Sequence, residues 1–449
     1  MTRRPLGPMR TTTVVSLLLG LPVLGACAPS GGADPDAMDG PLPPIVFAPG
    51  LGMSALSVSV DRPGERAAFD FLLPSMNPVD TLPGSAASAL DYSVARGLAP
   101  QDAAAVPRWL SLAIAPDGTA ASQVGVKVEP VSVGRDFGAE CPRYLPLAQD
   151  LATQGWQIDE NLLCLPFDYR LAPGANDFVD DLRDVVEHAV ADAGGRPAVL
   201  ACHSQGCLMA YHALRTLDED WIRGHIGLLY GFAGQFSGCS DCLRWAFQPG
   251  WSWQPETPGE SPVDPTWVGE MALGLQSSVY GDAVLYRNGT REYRADEAGE
   301  LLNDAGAVAM AQAMKTYGLD AQEWFRVGAV ERVPLPVPVR VVFGDGLTTT
   351  VGYDFDGIPP RSGTCSEPQC AGFWSTVDPA PIEADGDAGD STWMNAAPEV
   401  WTLDPVCDIR RLPGVDHMAI VTDATAVALL TASARAMESE PMPCLDSLP

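Results

Sequence analysis

Ala201-Cys202-His203-Ser204-Gln205-Gly206 follows the apolar run Pro197-Ala198-Val199-Leu200. A short buried strand turning sharply into a helix, with Ser at the apex and Gly two residues on, has the form of a nucleophile elbow. The turn lifts the Ser hydroxyl clear of a sheet, and only small residues fit two before and two after it. Gly206 meets that need, and Cys202 stands where Gly is commonest. An ordinary strand-to-helix loop can carry the same letters, so the rest of the chain must decide.

Outward from the elbow, buried strands and amphipathic helices alternate. Ile45-Val46-Phe47-Ala48 reads as a strand running into the turn Pro49-Gly50-Leu51-Gly52, and Leu162 to Leu165 as a second strand. Arg143 to Gly155 is amphipathic. In 177–193, Phe178, Leu182, Val185, Val186 and Val190 share one helical side. Cys207 to Leu217 continues the elbow as its helix. Ile226 to Leu229 and Val337 to Phe343 are later strands, and 419–437 a closing helix. Strands alternating with helices predict an α/β fold, a mostly parallel sheet flanked by helices. Insertions at about 54–130 and 236–334 fit the sheet poorly and read as cap or lid. The second carries Trp245, Trp251, Trp253 and Trp267, which suit either a lipid-facing surface or a small cap core.

The chain has 449 residues and a formal charge of −30. That balance argues against nucleic acid and against electrostatic docking on anionic lipid. Arg3, Arg4 and Arg10 precede an apolar stretch too short to span a bilayer comfortably, ending in Leu24-Gly25-Ala26-Cys27. This resembles a bacterial lipobox. The resemblance implies a signal peptide over 1–26, lipidation of Cys27, a tether over 27–43 and an exported lipoprotein anchored at the cell envelope; a plain secreted protein is the alternative. The main domain would run from 44 to 437, with a tail over 438–449. Setting Cys27 aside leaves ten of the 11 Cys, an even number. Cys239 with Cys242, Cys365 with Cys370, and Cys141 with Cys164 are candidate disulfides. Cys239 to Cys242 has the spacing of half a zinc site, but no second pair completes it, so no metal is expected.

A Ser hydroxyl needs a base, and the base an orienting acid, in the order Ser, acid, His on this fold. Beyond the elbow and its helix the histidines are His225, which precedes a strand, and His417, in a loop before the last helix. His417 is the expected base. Asp345, directly after a late strand, and Asp390, in Gly389-Asp390-Ser391-Thr392, both suit the acid by position.

Taken together, six motifs resemble the lecithin:cholesterol acyltransferase family, which includes phospholipid:diacylglycerol acyltransferases and lysosomal phospholipases. Pro49-Gly50-Leu51-Gly52 is similar to its turn near the oxyanion hole, and Trp109-Leu110 with Gly125-Val126-Lys127-Val128 to its next landmarks. Pro166-Phe167-Asp168-Tyr169-Arg170 is similar to its Pro-Tyr-Asp-Trp-Arg segment. His203-Ser204-Gln205-Gly206 matches its elbow, Gly389-Asp390-Ser391-Thr392 its acid loop, and Gly414-Val415-Asp416-His417 its His loop. The matches run in the family's order over most of the chain. Gly231-Phe232-Ala233-Gly234-Gln235-Phe236 departs from the family on the substrate-facing wall.

The resemblance implies an α/β-hydrolase fold with Ser204 as nucleophile, His417 as base and Asp390 as acid. The backbone N–H groups of Leu51 and Gln205 would form the oxyanion hole. It implies an O-acyltransferase moving a fatty acyl group from a phospholipid, through acyl-Ser204, to a lipid alcohol or water. Phospholipase, lipase or soluble carboxylester hydrolase activity is the alternative, and a non-catalytic lipid-binding lipoprotein the rival of another class. No cofactor is needed for acyl transfer through Ser.

Overall fold

A computed structural model of the chain describes residues 41–73, 98–99, 102, 105–247, 264–269, 275, 277–289, 291–317, 335–355, 379–396, 405–437 and 442–445. The predicted signal peptide, Cys27, most of the tether, Trp251, Trp253, Cys365, Cys370 and most of the tail lie outside the described residues. Among the described residues, no helix is long and apolar enough to cross a membrane.

Six strands form the central sheet: β1 (Ile45–Ala48), β2 (Leu162–Cys164), β3 (Ala198–His203), β4 (Ile226–Phe232), β5 (Val339–Asp345) and β6 (Ile409–Pro413). Their order is β6-β5-β4-β3-β1-β2, and every pairing is parallel. Such a sheet is covered on both faces, which is why β1, β2 and β3 are buried at every position and read as apolar runs. The chain runs from β1 out to the edge at β2, then returns to the other side of β1 as β3. At such a reversal the two following loops diverge and leave a crevice at the carboxyl ends of the strands. The turn after β1 and the elbow after β3 flank it.

Helices α1 (Leu145–Thr153), α2 (Phe178–Asp192), α3 (Gln205–Thr216) and α4 (Ala424–Ala436) flank the sheet. Phe178, Leu182, Val185, Val186 and Val190 are all buried, as the spacing predicts. The expected closing helix over 419–437 is broken: a 3-10 turn at Ala419–Thr422 precedes α4. Asp423 stops the first piece and caps the second, accepting from Thr425 N and Ala426 N.

The first insertion folds into small antiparallel sheets, one pairing Leu56–Arg62 with Glu65–Phe71 and Val126–Pro130, the other a hairpin of Leu112–Ile114 with Ala120–Ser122. A buried ion pair ties it to the crevice. Arg170 donates from Nε and Nη2 to the Asp168 carboxylate, from Nη1 to the Leu110 carbonyl, and from Nη2 to Ser122 Oγ. With its charge matched and each of its three nitrogens hydrogen-bonded, the guanidinium is tolerated at 0 % exposure. Tyr169 between them offers its carbonyl to Gln205 Nε2 at 3.1 Å. The segment 166–173 is therefore a brace for the elbow.

Candidate active site

Ser204 ends β3 and begins α3 with φ 53° and ψ −128°, a conformation that non-glycine residues rarely adopt. Close packing enforces it. A Cβ on Gly206 would stand 2.4 Å from the carbonyl oxygens of both Ala48 and Pro49, so only glycine lets α3 start against the end of β1. The turn after β1 lies on the serine itself, since a Cβ on Gly50 would be 3.0 Å from Ser204 Cβ. Ser204 is 6 % exposed and lines a cavity of about 320 Å³ together with Leu51, Gln235, Asp390 and His417.

Across the elbow, Cys202 and Cys207 form a disulfide five residues apart. Cysteine at position 202 thus does more than tolerate a glycine-like site: it ties the last turn of β3 to the first turn of α3. A loop that short contributes about 2 kcal/mol in the chain-entropy account. The double replacement Cys202→Ala with Cys207→Ala is expected to lower stability by that much, which in a domain of this size lowers the calorimetric melting midpoint by about 2 °C, and an unchanged midpoint would refute the role. Cys141–Cys164 and Cys239–Cys242 pair as the spacing suggested, and Cys407–Cys444 anchors the chain after α4. The Cys239–Cys242 bond also disposes of the metal reading: Asp241 lies beside the two sulfurs, but disulfide sulfurs are not thiolate ligands.

His417 follows β6 and lines the cavity. Its Nδ1 donates to Asp387 Oδ2 at 3.0 Å, and its backbone N–H donates to the Asp387 carbonyl at 2.8 Å. Asp390, the acid expected from sequence, stands 3.6 Å from the same Nδ1 and is turned aside, its Oδ1 accepting from Gln235 Nε2 at 3.0 Å. The hydrogen-bonded acid is therefore Asp387, three residues earlier. Asp387 is wholly buried and saturated: Oδ1 accepts from the N–H groups of Gly389 and Asp390, and Oδ2 also accepts from Asn395 Nδ2. A carboxylate so satisfied keeps its orientation. The other Oδ of Asp390 is buried without a hydrogen-bond partner. The loop brings both acids to His417 because Ala388 takes φ 70° and Gly389 packs where a Cβ would meet His417 Cβ at 2.7 Å. Asp345, the positional alternative, ends β5 and uses its carbonyl to hold Gly414 N–H at 2.7 Å. His225 stacks on Trp221 and bonds its carbonyl through Nδ1, serving the end of a helix.

Burial pushes Asp390 up to about 6, the His417 charge opposing and the Asp387 charge assisting. For His417 burial alone would favour the neutral ring, but the charges of Asp390 and Asp387 outweigh it and raise the group to about 10. Asp241, on the opposite wall, is raised to about 7 by burial and by Asp390. The constellation is a serine on an elbow, an imidazole fixed by a buried carboxylate, and a second carboxylate held in reserve. Those are the parts of a nucleophilic acyl-transfer site.

Residues 136–247, which span the brace, α1, α2 and the elbow, match the lecithin:cholesterol acyltransferase family. The chain is similar to that family well beyond those residues. Over 96 % of its length it is 26 % identical to lecithin-cholesterol acyltransferase-like 1 of Oryza sativa subsp. japonica, covering 93 % of that relative. It is 22 % identical to the lysosomal phospholipase A and acyltransferase of Canis lupus familiaris over 63 % of this chain and 65 % of the relative. A shorter stretch, 22 % of each chain, is 38 % identical to phosphatidylcholine-sterol acyltransferase of Mus musculus. In three dimensions it is similar to a chain of the Tle4–Tli4 complex, with a TM-score of 0.55, 12 % identity, and coverage of 86 % of this chain and 96 % of that one. That likeness bears on the α/β-hydrolase fold alone.

Proposed function

We propose that the protein is a serine-dependent lipid acyltransferase with accompanying phospholipase activity. The observation that carries this reading is the hydrogen bond from His417 Nδ1 to the buried Asp387, with His417 and Ser204 lining one cavity, in a chain similar to this family. The bond leaves Nε2 of His417 for the serine. His417 takes the Ser204 proton as Oγ attacks an acyl-ester carbonyl of a phospholipid. The N–H groups of Gln205 and Leu51 stabilise the oxyanion. The Gly50 N–H is excluded from that task because it donates to Tyr144 Oη at 2.9 Å. As the tetrahedral species collapses, the C–O bond breaks, His417 gives its proton to the leaving lysophospholipid oxygen, and acyl-Ser204 remains. An acceptor hydroxyl then loses its proton to His417, attacks the acyl carbon and releases Ser204. A lipid alcohol yields a new ester, and water yields a fatty acid. Lipidation at Cys27 would hold the enzyme at the envelope membrane where such donors reside.

The test is labelled phospholipid in vesicles, with and without a long-chain alcohol. Ester product that displaces free fatty acid is expected from the wild type. Fatty acid alone, whatever the acceptor, would overturn the transferase part. Neither product, together with rapid turnover of short soluble esters, would overturn the lipid donor.

A further inference from the structure

The histidine before the nucleophile has a role that the proposed mechanism leaves unused. Its ring joins two elements that must keep register during acyl transfer. On one side, Tyr144 Oη lies 2.8 Å from His203 Nδ1, and the same oxygen accepts the Gly50 N–H at 2.9 Å. On the other, His203 Nε2 lies 3.0 Å from the backbone carbonyl of His417. A carbonyl can only accept, so Nε2 carries the hydrogen and Nδ1 accepts from the phenol. The direction of every bond is then fixed: Gly50 N–H to Tyr144 O, Tyr144 O–H to His203 Nδ1, and His203 Nε2–H to His417 C=O.

We infer that Tyr144 and His203 are positioning residues, a rigid bridge that couples the Pro49–Gly52 turn to the loop carrying the base. The inference rests on the reading of Ser204 and His417 as nucleophile and base. Tyr144 and His203 are each 1 % exposed, so water cannot substitute for a lost link. The rings are braced as well: His203 lies 4.7 Å from the His417 ring, and Tyr144 packs 4.6 Å from Phe47 of β1. Burial, with the neighbouring His417, holds His203 neutral, and burial keeps the Tyr144 phenol protonated, so neither partner changes its role across the working pH range. His417 is consequently gripped at both backbone ends, its N–H by the Asp387 carbonyl and its C=O by His203. Tyr144 fixes the other side, next to the proposed Leu51 donor. Imidazole suits the task because its two nitrogens, on opposite sides of a rigid ring, can accept from one group and donate to another.

The experiment compares Tyr144→Phe, His203→Gln and the double variant with wild type and Ser204→Ala on a soluble 4-nitrophenyl ester, with melting midpoints measured alongside. Tyr144→Phe keeps the ring and removes one hydroxyl. It is expected to lower kcat about tenfold or more with KM within about twofold, because the oxyanion donors and the base lose register during chemistry. Fluorophosphonate labelling of Ser204 should slow by the same factor. The double variant should lose little beyond the worse single one, as members of one chain of bonds do. Folded single variants with wild-type kcat, or losses that multiply in the double, would overturn the bridge. A wild-type measurement guards against a folding failure: histidine 15N–1H correlation should show His203 neutral and protonated on Nε2 from pH 5 to 9. An Nδ1–H tautomer, or titration in that range, would also overturn it. Turnover persisting in Ser204→Ala would instead bring down the nucleophile assignment, whereas a dead Ser204→Ala beside an unimpaired Tyr144→Phe would bring down the bridge alone.

Discussion

Ser204→Ala is expected to lower kcat for ester turnover by a factor on the order of 10⁶, with substrate binding little changed. The alanine keeps the Cβ that packs on the Pro49–Gly52 turn, so the elbow and the oxyanion donors stay in place and the loss is that of the nucleophile. The residue of activity left by such a deletion comes from binding and from the oxyanion hole. Initial-rate kinetics on a soluble ester checks this directly. Turnover within tenfold of wild type would place the chemistry elsewhere.

The second large effect separates two neighbouring acids. Asp387→Asn is expected to lower kcat by about 10⁴-fold, because an amide in that position sets the wrong imidazole tautomer while preserving the geometry. Asp390→Asn should cost no more than about tenfold, the size of one altered hydrogen bond. Its stronger effect is on pH. His417 must be neutral to take the serine proton, and the charge of Asp390 is the first of the influences that raise it to about 10. Removing that charge lowers the proton affinity of His417. The acid limb of kcat/KM therefore moves to lower pH in Asp390→Asn. Below about pH 6 the two enzymes should converge, since Asp390 is then itself protonated. A large kcat loss in Asp390→Asn with a small one in Asp387→Asn would return the acid role to Asp390.

Sequence points to Asp390 while the hydrogen bond to His417 comes from Asp387, three residues earlier, and the difference is a matter of loop geometry. Gly386-Asp387 and Gly389-Asp390 offer the same Gly-Asp step, and Thr392, two residues after Asp390, favours the later one. The choice is made by the positive φ of Ala388 and by the close approach of Gly389 to His417, neither of which leaves a periodic trace. The central sheet was legible for the opposite reason. Its strands are short apolar runs bounded by turns, and its helices carry one buried stripe, so burial itself writes the pattern. Spacing and chain order single out Ser204 and His417, which the fold brings to one cavity. The Tyr144–His203 bridge was not legible, since Tyr144 and His417 meet only through the fold, 59 residues before and 214 residues after His203's neighbourhood in sequence. The Cys202–Cys207 bond sits between: two cysteines flanking a turn at that spacing are suggestive, but only the elbow's sharpness brings their sulfurs together.

The most direct test of the central claim, that Ser204 carries the acyl group and His417 with Asp387 activates it, is to map a fluorophosphonate adduct by peptide mass spectrometry while following lipid turnover. One adduct is expected, on the peptide containing Ser204, formed in step with the loss of turnover and strongly slowed by Asp387→Asn. Complete modification of Ser204 with turnover intact, or an adduct on another residue that tracks the loss, would contradict it.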